Sequence, residues 1–471
     1  MIQSELDDIF TGRFKDKRTA RRANKVFHDL VRSGSSIINR TTYSQADKIG
    51  AYRMINNERC TEQEIKQGLY NSCLSHTQNS EHLLCIQDTT AINYTHHRGR
   101  IKDKDANLGI CNGPDDVFLF CHPTLVIDAA LNLPVGFSNV TVYNRPWEKQ
   151  NQSAKVQERN PVEEKESYRW LESIHNSDEV LSHIPVRTYI SDRESDIYEL
   201  LCLSQRNLHL LIRSSKDRRT EENGVYLKEM VMNSGIRGSY EIEIKNNKSR
   251  KTRKAELDLY YCPVRLVCPE RITGKYPSHI DIYCVYVKEN PASVPSAETP
   301  IEWRLLTTHQ VTDTATALQC VQWYKQRWYI EELFRVLKTQ GFDIESSQLE
   351  TGAALKRLVL FSLQACIHVL MMKLAFESQN EELDANVYLS PLQIELLTIL
   401  LPSLEGKTKK QKNPFKTHSL PWAAWMIARL GAWAGYTSQS PPGYITFKRG
   451  YDNFLNMIEV FVLLKKNVYK E

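Results

Sequence analysis

Four residues in one short stretch have side chains suited to binding a metal ion and a phosphate side by side. Tyr324, Arg327, Glu331 and Lys338 lie within YKQRWYIEELFRVLK, residues 324–338. On a helix of 3.6 residues per turn, these four positions share an arc of roughly 60°. Arginine presents a planar fork to phosphate oxygens, lysine a mobile positive charge, and a carboxylate is a ligand for Mg²⁺. The alternative is a solvated charged stripe in which Arg327 pairs with Glu331 one turn away.

The same helical geometry separates Glu331 from its neighbour Glu332. A step of one residue turns the side chain by about 100°, so Glu332 leaves the face that carries the tyrosine, the arginine and the lysine. We therefore predict that Glu331 carries the chemistry and that Glu332 has a structural role.

Two aspartates follow segments that predict β-strands. Asp88 comes after the apolar run LLCI, and Asp192 follows VRTYIS. Loops beyond strand ends are where α/β proteins commonly build their sites. Taken singly, each aspartate is more typical of a helix cap or a turn. As a pair on neighbouring strands, they would repel each other unless a cation lay between them, and Mg²⁺ or Mn²⁺ prefers such oxygen ligands.

Composition narrows the class of protein. The 471 residues, 41% of them hydrophobic and 25% charged, are typical of a globular chain of two or three domains. A net charge of +5 predicts no partner by itself. The 11 cysteines never form Cys-x-x-Cys, which argues against a zinc ribbon and favours free thiols in a reducing cytosol. We see no signal peptide and no window of about 18 apolar residues, so we expect a soluble, cytoplasmic protein without a membrane partner.

Periodicity predicts an α/β protein with helical flanks. Residues 1–75 predict helices, one of which carries a basic stripe that includes Arg18 and Arg21. That stripe is either a solvated face or a nucleic-acid contact, and the pattern leaves both open. Residues 82–213 predict three antiparallel strands followed by alternating helices and strands in a mixed sheet. A β-rich insertion at about 236–310 precedes a helix that starts near residue 313, and the rest of the chain is helical.

The order of these motifs resembles one family. An aspartate after a first strand, an aspartate after a fourth strand and then Tyr-x2-Arg-x3-Glu-x6-Lys is the pattern of the DDE transposases of the insertion-sequence IS-four family. IQDTT around Asp88 and SDRESDI around Asp192 are similar to its first two acidic motifs. EKESYRWL (164–171), IEWRLLTT (301–308) and AWMIARLGAW (424–433) also resemble family segments.

The resemblance implies a fold and a domain arrangement. It implies an RNase H-like catalytic domain over 76–370 that is interrupted by the β-rich insertion, a helical DNA-binding domain over 1–75, and a helical dimerisation domain over 371–471. The partners it implies are double-stranded DNA, both transposon ends and target, and a second copy of the chain in the DNA complex. It places the protein in a prokaryotic cytoplasm.

The resemblance also implies an activity and its residues. Asp88, Asp192 and Glu331 would hold two Mg²⁺ or Mn²⁺ ions for nicking, hairpin formation, hairpin opening and strand transfer in cut-and-paste transposition. Tyr324, Arg327 and Lys338 would clamp a phosphate beside a flipped base, and Trp303 would stack on that base or fill the gap it leaves. Further DNA contacts implied are those of Lys17, Arg18, Arg21 and Arg213. Two alternatives are kept: another RNase H-like nuclease such as a junction resolvase, and a non-catalytic DNA-binding regulator.

Overall fold

One mixed sheet runs through the centre of the protein. The computed structural model describes residues 8–42, 44–148, 160–203, 207–221, 224–244, 252–296, 298–436 and 439–468, and within these ranges ten strands join in a single sheet. The strands are β1 (His82–Gln87), β2 (Thr90–Asn93), β3 (Phe118–Asp128), β4 (Leu133–Tyr143), β5 (Val186–Ser191), β6 (Leu208–Arg213), β7 (Gly238–Ile244), β8 (Arg253–Val267), β9 (His279–Glu289) and β10 (Glu302–Thr307). Their order is β2-β3-β1-β5-β6-β10-β9-β8-β7, with β4 paired to β3.

Pairing within the sheet matches the predicted mixed arrangement. Strands β1, β5 and β6 are parallel neighbours, whereas β1 with β3 and β3 with β4 are antiparallel. Strands β1 and β2 both pair with β3 and are separated from each other by Asp88 and Thr89. The predicted mixed α/β arrangement is therefore confirmed. The strands of the β-rich region extend this sheet, since β10 pairs antiparallel with β6.

Thirteen helices surround the sheet in the described part of the chain, not counting short 3-10 turns. They are α1 (Lys17–Ser33), α2 (Ile38–Thr41), α3 (Gln45–Ile55), α4 (Glu62–His76), α5 (Tyr168–Val180), α6 (Tyr198–Leu201), α7 (Leu227–Asn233), α8 (Thr314–Lys325), α9 (Trp328–Lys338), α10 (Gly352–Ser378), α11 (Pro391–Leu404), α12 (Leu420–Leu430) and α13 (Tyr444–Val468).

Helix α10 connects the regions that the sequence divides into domains. It is buried on nearly every side, and the ring of its Phe361 lies 5.0 Å from that of Phe10. Its Arg357 donates to the carbonyl oxygens of Ile55 and Cys60 at 2.8 and 2.6 Å, which satisfies backbone groups of the N-terminal helices. The predicted boundary at residue 370 falls inside this helix.

Helix α10 contradicts one expectation from the sequence, which concerned membrane-spanning segments. By length and composition α10 is apolar enough to cross a membrane, contrary to the expectation that no window would qualify. Within its most apolar 18-residue window, 89% of the residues are buried inside the fold. A core helix of this kind passes the same compositional test as a membrane span.

A cluster of histidines lies at the edge where the parallel strands begin. His82 and His309 both hydrogen-bond the Thr188 hydroxyl, at 2.8 and 2.7 Å, and the His309 ring stacks on His209 at 3.9 Å. Burial, with a smaller effect of the neighbouring imidazoles, lowers the pKa of His82 to about 4 and that of His309 to about 3. Both imidazole rings are therefore neutral in the folded protein at neutral pH.

We expect these histidines to make the fold sensitive to acid. A histidine whose pKa is lower in the folded state than its unfolded value stabilises the fold above about pH 6.5, and that contribution is lost as the pH falls. At pH 5.5, protonation of one such histidine in the unfolded state lowers the free energy of unfolding by about 1.4 kcal/mol. His309→Gln keeps a hydrogen-bonding group for Thr188 and should reduce the loss of stability between pH 7.5 and pH 5.5 by about that amount. Urea unfolding at the two pH values measures it; an unchanged pH dependence would contradict the assignment.

Candidate active site

Asp88 occupies the short gap between two strands. It follows β1, and its Oδ1 accepts a hydrogen bond from the Thr89 backbone N–H at 2.7 Å before β2 begins. Its Oδ2 accepts from Arg327 Nη1 at 2.9 Å. The interruption of the strand leaves this carboxylate free to point away from the ladder of backbone hydrogen bonds.

Asp192 lies at the same edge of the sheet. It follows β5, the parallel neighbour of β1, and the two strands pair in register from His82 with Val186 to Ile86 with Ile190, so both end at the same edge. Its Oδ1 accepts from the Arg193 backbone N–H at 2.8 Å, which caps the 3-10 turn Arg193–Ser195, and from the Tyr324 hydroxyl at 3.3 Å. The predicted pair of acids thus lies on adjacent strand ends.

A second acid of the same motif, Asp196, has a structural role. Its carboxylate is buried and bound by Arg218 at 2.6 Å and by the backbone N–H groups of Ser215 and Lys216 at 2.7 and 3.0 Å. These bonds fix the loop that follows β6. A carboxylate so fully paired is not available to a ligand, which distinguishes Asp196 from Asp192.

The helix that carries Glu331 differs from the prediction in one detail. A single helix was expected, but α8 and α9 are separated by a turn at Gln326 and Arg327. The backbone N–H groups of these two residues donate to carbonyls three residues back, at 3.1 and 3.0 Å, so the chain tightens locally into a 3-10 turn. Both residues keep right-handed helical dihedral angles. The side chains of Tyr324 and Arg327 still reach Asp192 and Asp88 at the strand ends, and Glu331 pairs with Arg327.

Arg327 lies between two carboxylates that come from distant parts of the chain. Its guanidinium donates to Asp88 and to Glu331, and the residue is only 9% exposed. Burial is the main cause that raises the pKa of Asp88 to about 6, and the Glu331 and Asp192 carboxylates raise it further. The Thr89 N–H and Arg327 act in the opposite direction. The guanidinium therefore offsets part of the repulsion between the acids.

These three acids suit a divalent cation by their chemistry, though not in the present side-chain arrangement. Hard carboxylate oxygens that repel one another are the donors that Mg²⁺ or Mn²⁺ prefers. Among the described residues, however, no three such side chains are positioned together as a metal-binding group. The guanidinium of Arg327 bridges Asp88 and Glu331, and the positive charge it supplies there is the kind a bound cation would supply. Asp88, Asp192 and Glu331 stay the predicted metal ligands.

Glu332 has the structural environment expected for it. Its carboxylate is buried, accepts from the Tyr444 hydroxyl of α13 and pairs with Arg335 at 2.6 Å. It joins the helix of Glu331 to the C-terminal helix.

The other DNA contacts predicted near the acids divide into two groups. Lys338 Nζ donates to the Ala91 carbonyl at 2.7 Å and pairs with Glu345 at 3.2 Å, beside β2. Trp303 packs its ring 6.2 Å from that of Tyr324 and, with Arg213, lines a cleft of about 590 Å³. Arg213 donates to the Glu302 carbonyl at 3.3 Å.

The sequence analysis assigned no role to three arginines of this region. Arg193 and Arg304 line the same cleft as Trp303. Arg169 joins the loops of the two aspartates, because its Nε donates to Thr89 Oγ1 at 3.1 Å and its Nη2 to Glu194 at 2.8 Å. The only signal for Arg169 was its place in EKESYRWL, a segment singled out without assigning a role to its arginine.

The predicted basic contacts on α1 lie far along the chain from the acids and face outward. Lys17, Arg18 and Arg21 are exposed, whereas the apolar side of α1 is buried. The remaining cations of the stripe are occupied within the domain, since Arg22 and Lys25 pair with Asp47 at 3.3 and 3.4 Å.

We expect the raised pKa of Asp88 to appear as a pH-dependent stability. An acid whose pKa rises from 3.8 to about 6 on folding contributes stability below pH 3.8 that is lost as the pH rises through 6. Asp88→Asn removes that loss, so in EDTA the variant should gain about 2.4 kcal/mol relative to wild type between pH 4 and pH 7.5.

Chemical unfolding at the two pH values tests this expectation. Asp192→Asn, which removes the other strand-end acid, is the matched control. If Asp88→Asn destabilised the fold equally at both pH values, the ion pair with Arg327 would outweigh the burial cost and the account of the site would be wrong.

The comparison with protein families agrees with this geometry. Residues 153–370 match the family model described as Transposase DDE domain. The matched range includes Asp192, Tyr324, Arg327 and Glu331, while Asp88 precedes it. The match supports a DDE transposase.

Proposed function

We propose that the protein is a cut-and-paste DNA transposase of the IS-four type. The observation that carries this proposal is that Arg327 donates to both Asp88 and Glu331, while Tyr324, one turn earlier, donates to Asp192. A surface stripe of charges would not explain why a largely buried arginine on the helix reaches an acid 239 residues away.

The proposed reaction is phosphodiester hydrolysis followed by transesterification. Water attacks the phosphorus, a new P–O bond forms, the bond to the 3′-oxygen breaks, and the proton lost by water leaves with solvent. The departing 3′-oxygen takes up a proton, and the resulting hydroxyl attacks a phosphodiester of the opposite strand. A new P–O bond closes the hairpin while the P–O bond to the flanking DNA breaks and releases that DNA with its own 3′-hydroxyl. Water then hydrolyses the hairpin bond to restore the 3′-hydroxyl, which attacks a target phosphodiester and displaces the 3′-oxygen of the target strand. Divalent cations bound by the three acids would supply Lewis-acid chemistry for these displacements.

Arg327 and Tyr324 are proposed to change partners when substrate binds. Cations held by the acids would remove the need for the guanidinium between Asp88 and Glu331. The guanidinium fork could then bind two phosphate oxygens, a geometry that arginine favours. Lys338, one turn beyond the helix centre, would add a second positive charge beside the same phosphate.

The surrounding surface is proposed to hold the transposon end. The cleft lined by Trp303, Arg193, Arg213 and Arg304 combines an aromatic face with three guanidinium groups, a combination suited to an unstacked base and its phosphates. Lys17, Arg18 and Arg21 would contact the duplex backbone from α1.

Pairing of two copies is proposed through the C-terminal helix. Met457, Val460 and Leu464 lie three and four residues apart on one face of α13, and each is at least 40% exposed. Ile399 of the adjacent α11 is 57% exposed. An apolar stripe left open on two neighbouring helices supports a helix-to-helix contact between copies.

We expect the adjacent glutamates to separate catalysis from folding. Glu331→Gln keeps the side-chain shape but removes a proposed metal ligand, so nicking should fall roughly a thousandfold or more while end binding is kept. Glu332→Gln is the matched control; it loses the charge that pairs with Arg335 and should lower the free energy of unfolding by about 1 kcal/mol, with nicking nearly unchanged.

The assay uses duplexes that carry the inverted repeats flanking the gene, with Mg²⁺ or Mn²⁺. Strand nicking is followed on denaturing gels and end binding by anisotropy. Glu331→Gln that cleaves as well as wild type would overturn the assignment of the acids.

We expect the apolar face of α13 to determine the number of copies on DNA. Val460→Asp with Leu464→Asp places two charges on that face and should leave one copy per end in place of a paired complex. Ile236→Asp, at a position 59% exposed outside this stripe, is the control. Mass photometry of the end complexes measures the result, and paired complexes in the double variant would contradict the proposed interface.

A further inference from the structure

A second basic cleft has Lys338 in its lining. It has a volume of about 510 Å³ and is formed where α2, the turn after α9 and α13 meet. Its cations are Arg40, Lys338, Lys448 and Arg449, and its acids are Asp343 and Glu345. Positive charge from three separate parts of the chain thus exceeds the negative charge in one concave surface.

Lys448 is built into this cleft by close packing. Its alkyl chain passes over Gly34, the residue that ends α1, and a Cβ atom at that position would lie 2.4 Å from Lys448 Cε. Its Nζ donates to the Gly341 carbonyl at 3.2 Å. A glycine in the left-handed conformation, with φ of 53°, provides both the turn and the space. The lysine therefore holds a fixed position between the N-terminal, catalytic and C-terminal regions.

The two arginines of the cleft differ from Lys448 in their exposure to solvent. Arg40 and Arg449 are exposed, and neither forms an ion pair within the described ranges. Burial, together with the positive charges of Arg449 and Arg40, lowers the pKa of Lys448, while Asp452 and Asp343 act in the opposite direction. Cations that crowd one another in this way would be relieved by an anion.

The cleft is connected to the proposed catalytic acids. Lys338 pairs with Glu345, whose carboxylate also accepts the Asn93 backbone N–H of β2 at 2.9 Å. Strand β2 begins two residues after Asp88, and Lys338 lies on the helix of Glu331. A polyanion bound at the acids therefore needs to extend only past Lys338 to reach the cleft.

We propose that this cleft is a second binding site for DNA phosphates, with Arg40 and Arg449 as its exposed contacts and Lys448 as its fixed charge. The inference rests on the proposed function, because it assigns the cleft to the DNA that leaves the catalytic acids. The phosphates belong either to the transposon end or to the target duplex, since both have the same backbone chemistry. Phosphate contacts by arginines from two regions would couple DNA binding to the position of α2 relative to α13.

The test is the salt dependence of DNA binding by the full-length protein. Each phosphate contact contributes about 0.9 to the slope of log K against log salt concentration. Arg40→Ala with Arg449→Ala should lower that slope by up to about 1.8. Both side chains are exposed, so the double variant should fold normally. Arg40→Lys with Arg449→Lys keeps the charge and should restore most of the slope, and the exposed pair Lys409→Ala with Lys410→Ala is the control.

Two DNA arms distinguish the source of the phosphates. A lower slope with a transposon-end duplex assigns the cleft to the end, and a lower slope only when target duplex is added to a preformed end complex assigns it to target. Unchanged slopes in both arms overturn the proposal. A wild-type protein that binds both duplexes but does not nick overturns the proposed function alone, whereas one that binds neither duplex overturns both.

Discussion

The arrangement of the site depends on like charges that must be neutralised. Asp88, Asp192 and Glu331 approach one another from two strand ends and a helix, and in a partly buried setting their repulsion would favour protonation or separation. Arg327 supplies a positive charge between Asp88 and Glu331, and Tyr324 donates to Asp192. The protein alone thus uses its own side chains where divalent cations and a phosphate are proposed to bind. Arg327 and Tyr324 would thus have binding partners both in the protein alone and in its complex with metal and DNA.

The scaffold explains how acids so distant in sequence keep their positions. Parallel pairing of β1 with β5 brings the two aspartates to one edge, and Arg169 joins their loops. Glu332 fixes the helix of Glu331 to α13 through Tyr444, while α10 packs beneath the N-terminal helices. Rigid elements on every side suit a site whose ligands must not shift by more than a fraction of an ångström.

Local patterns in the sequence could predict much of this site, because strand ends and helix faces depend on neighbouring residues. The β-rich runs LLCI and VRTYIS predicted that Asp88 and Asp192 follow strands, and the helical period distinguished Glu331 from Glu332. The 3-10 turn at Arg327 was missed, since bonds to the third or the fourth residue back leave almost the same side-chain pattern. Long-range pairing could not be predicted either: the extension of the sheet by β10 and the contacts of Arg169 and Lys448 depend on which distant elements meet.

The most direct test of the account is the position of Arg327 in the presence of metal and DNA. Crystals of the protein with an end duplex and Mn²⁺ would give anomalous scattering from bound manganese. We expect anomalous peaks bound by Asp88, Asp192 and Glu331, with the Arg327 guanidinium moved from between the carboxylates to a DNA phosphate. A guanidinium that still bridges Asp88 and Glu331, with no manganese at the three acids, would contradict the central claim.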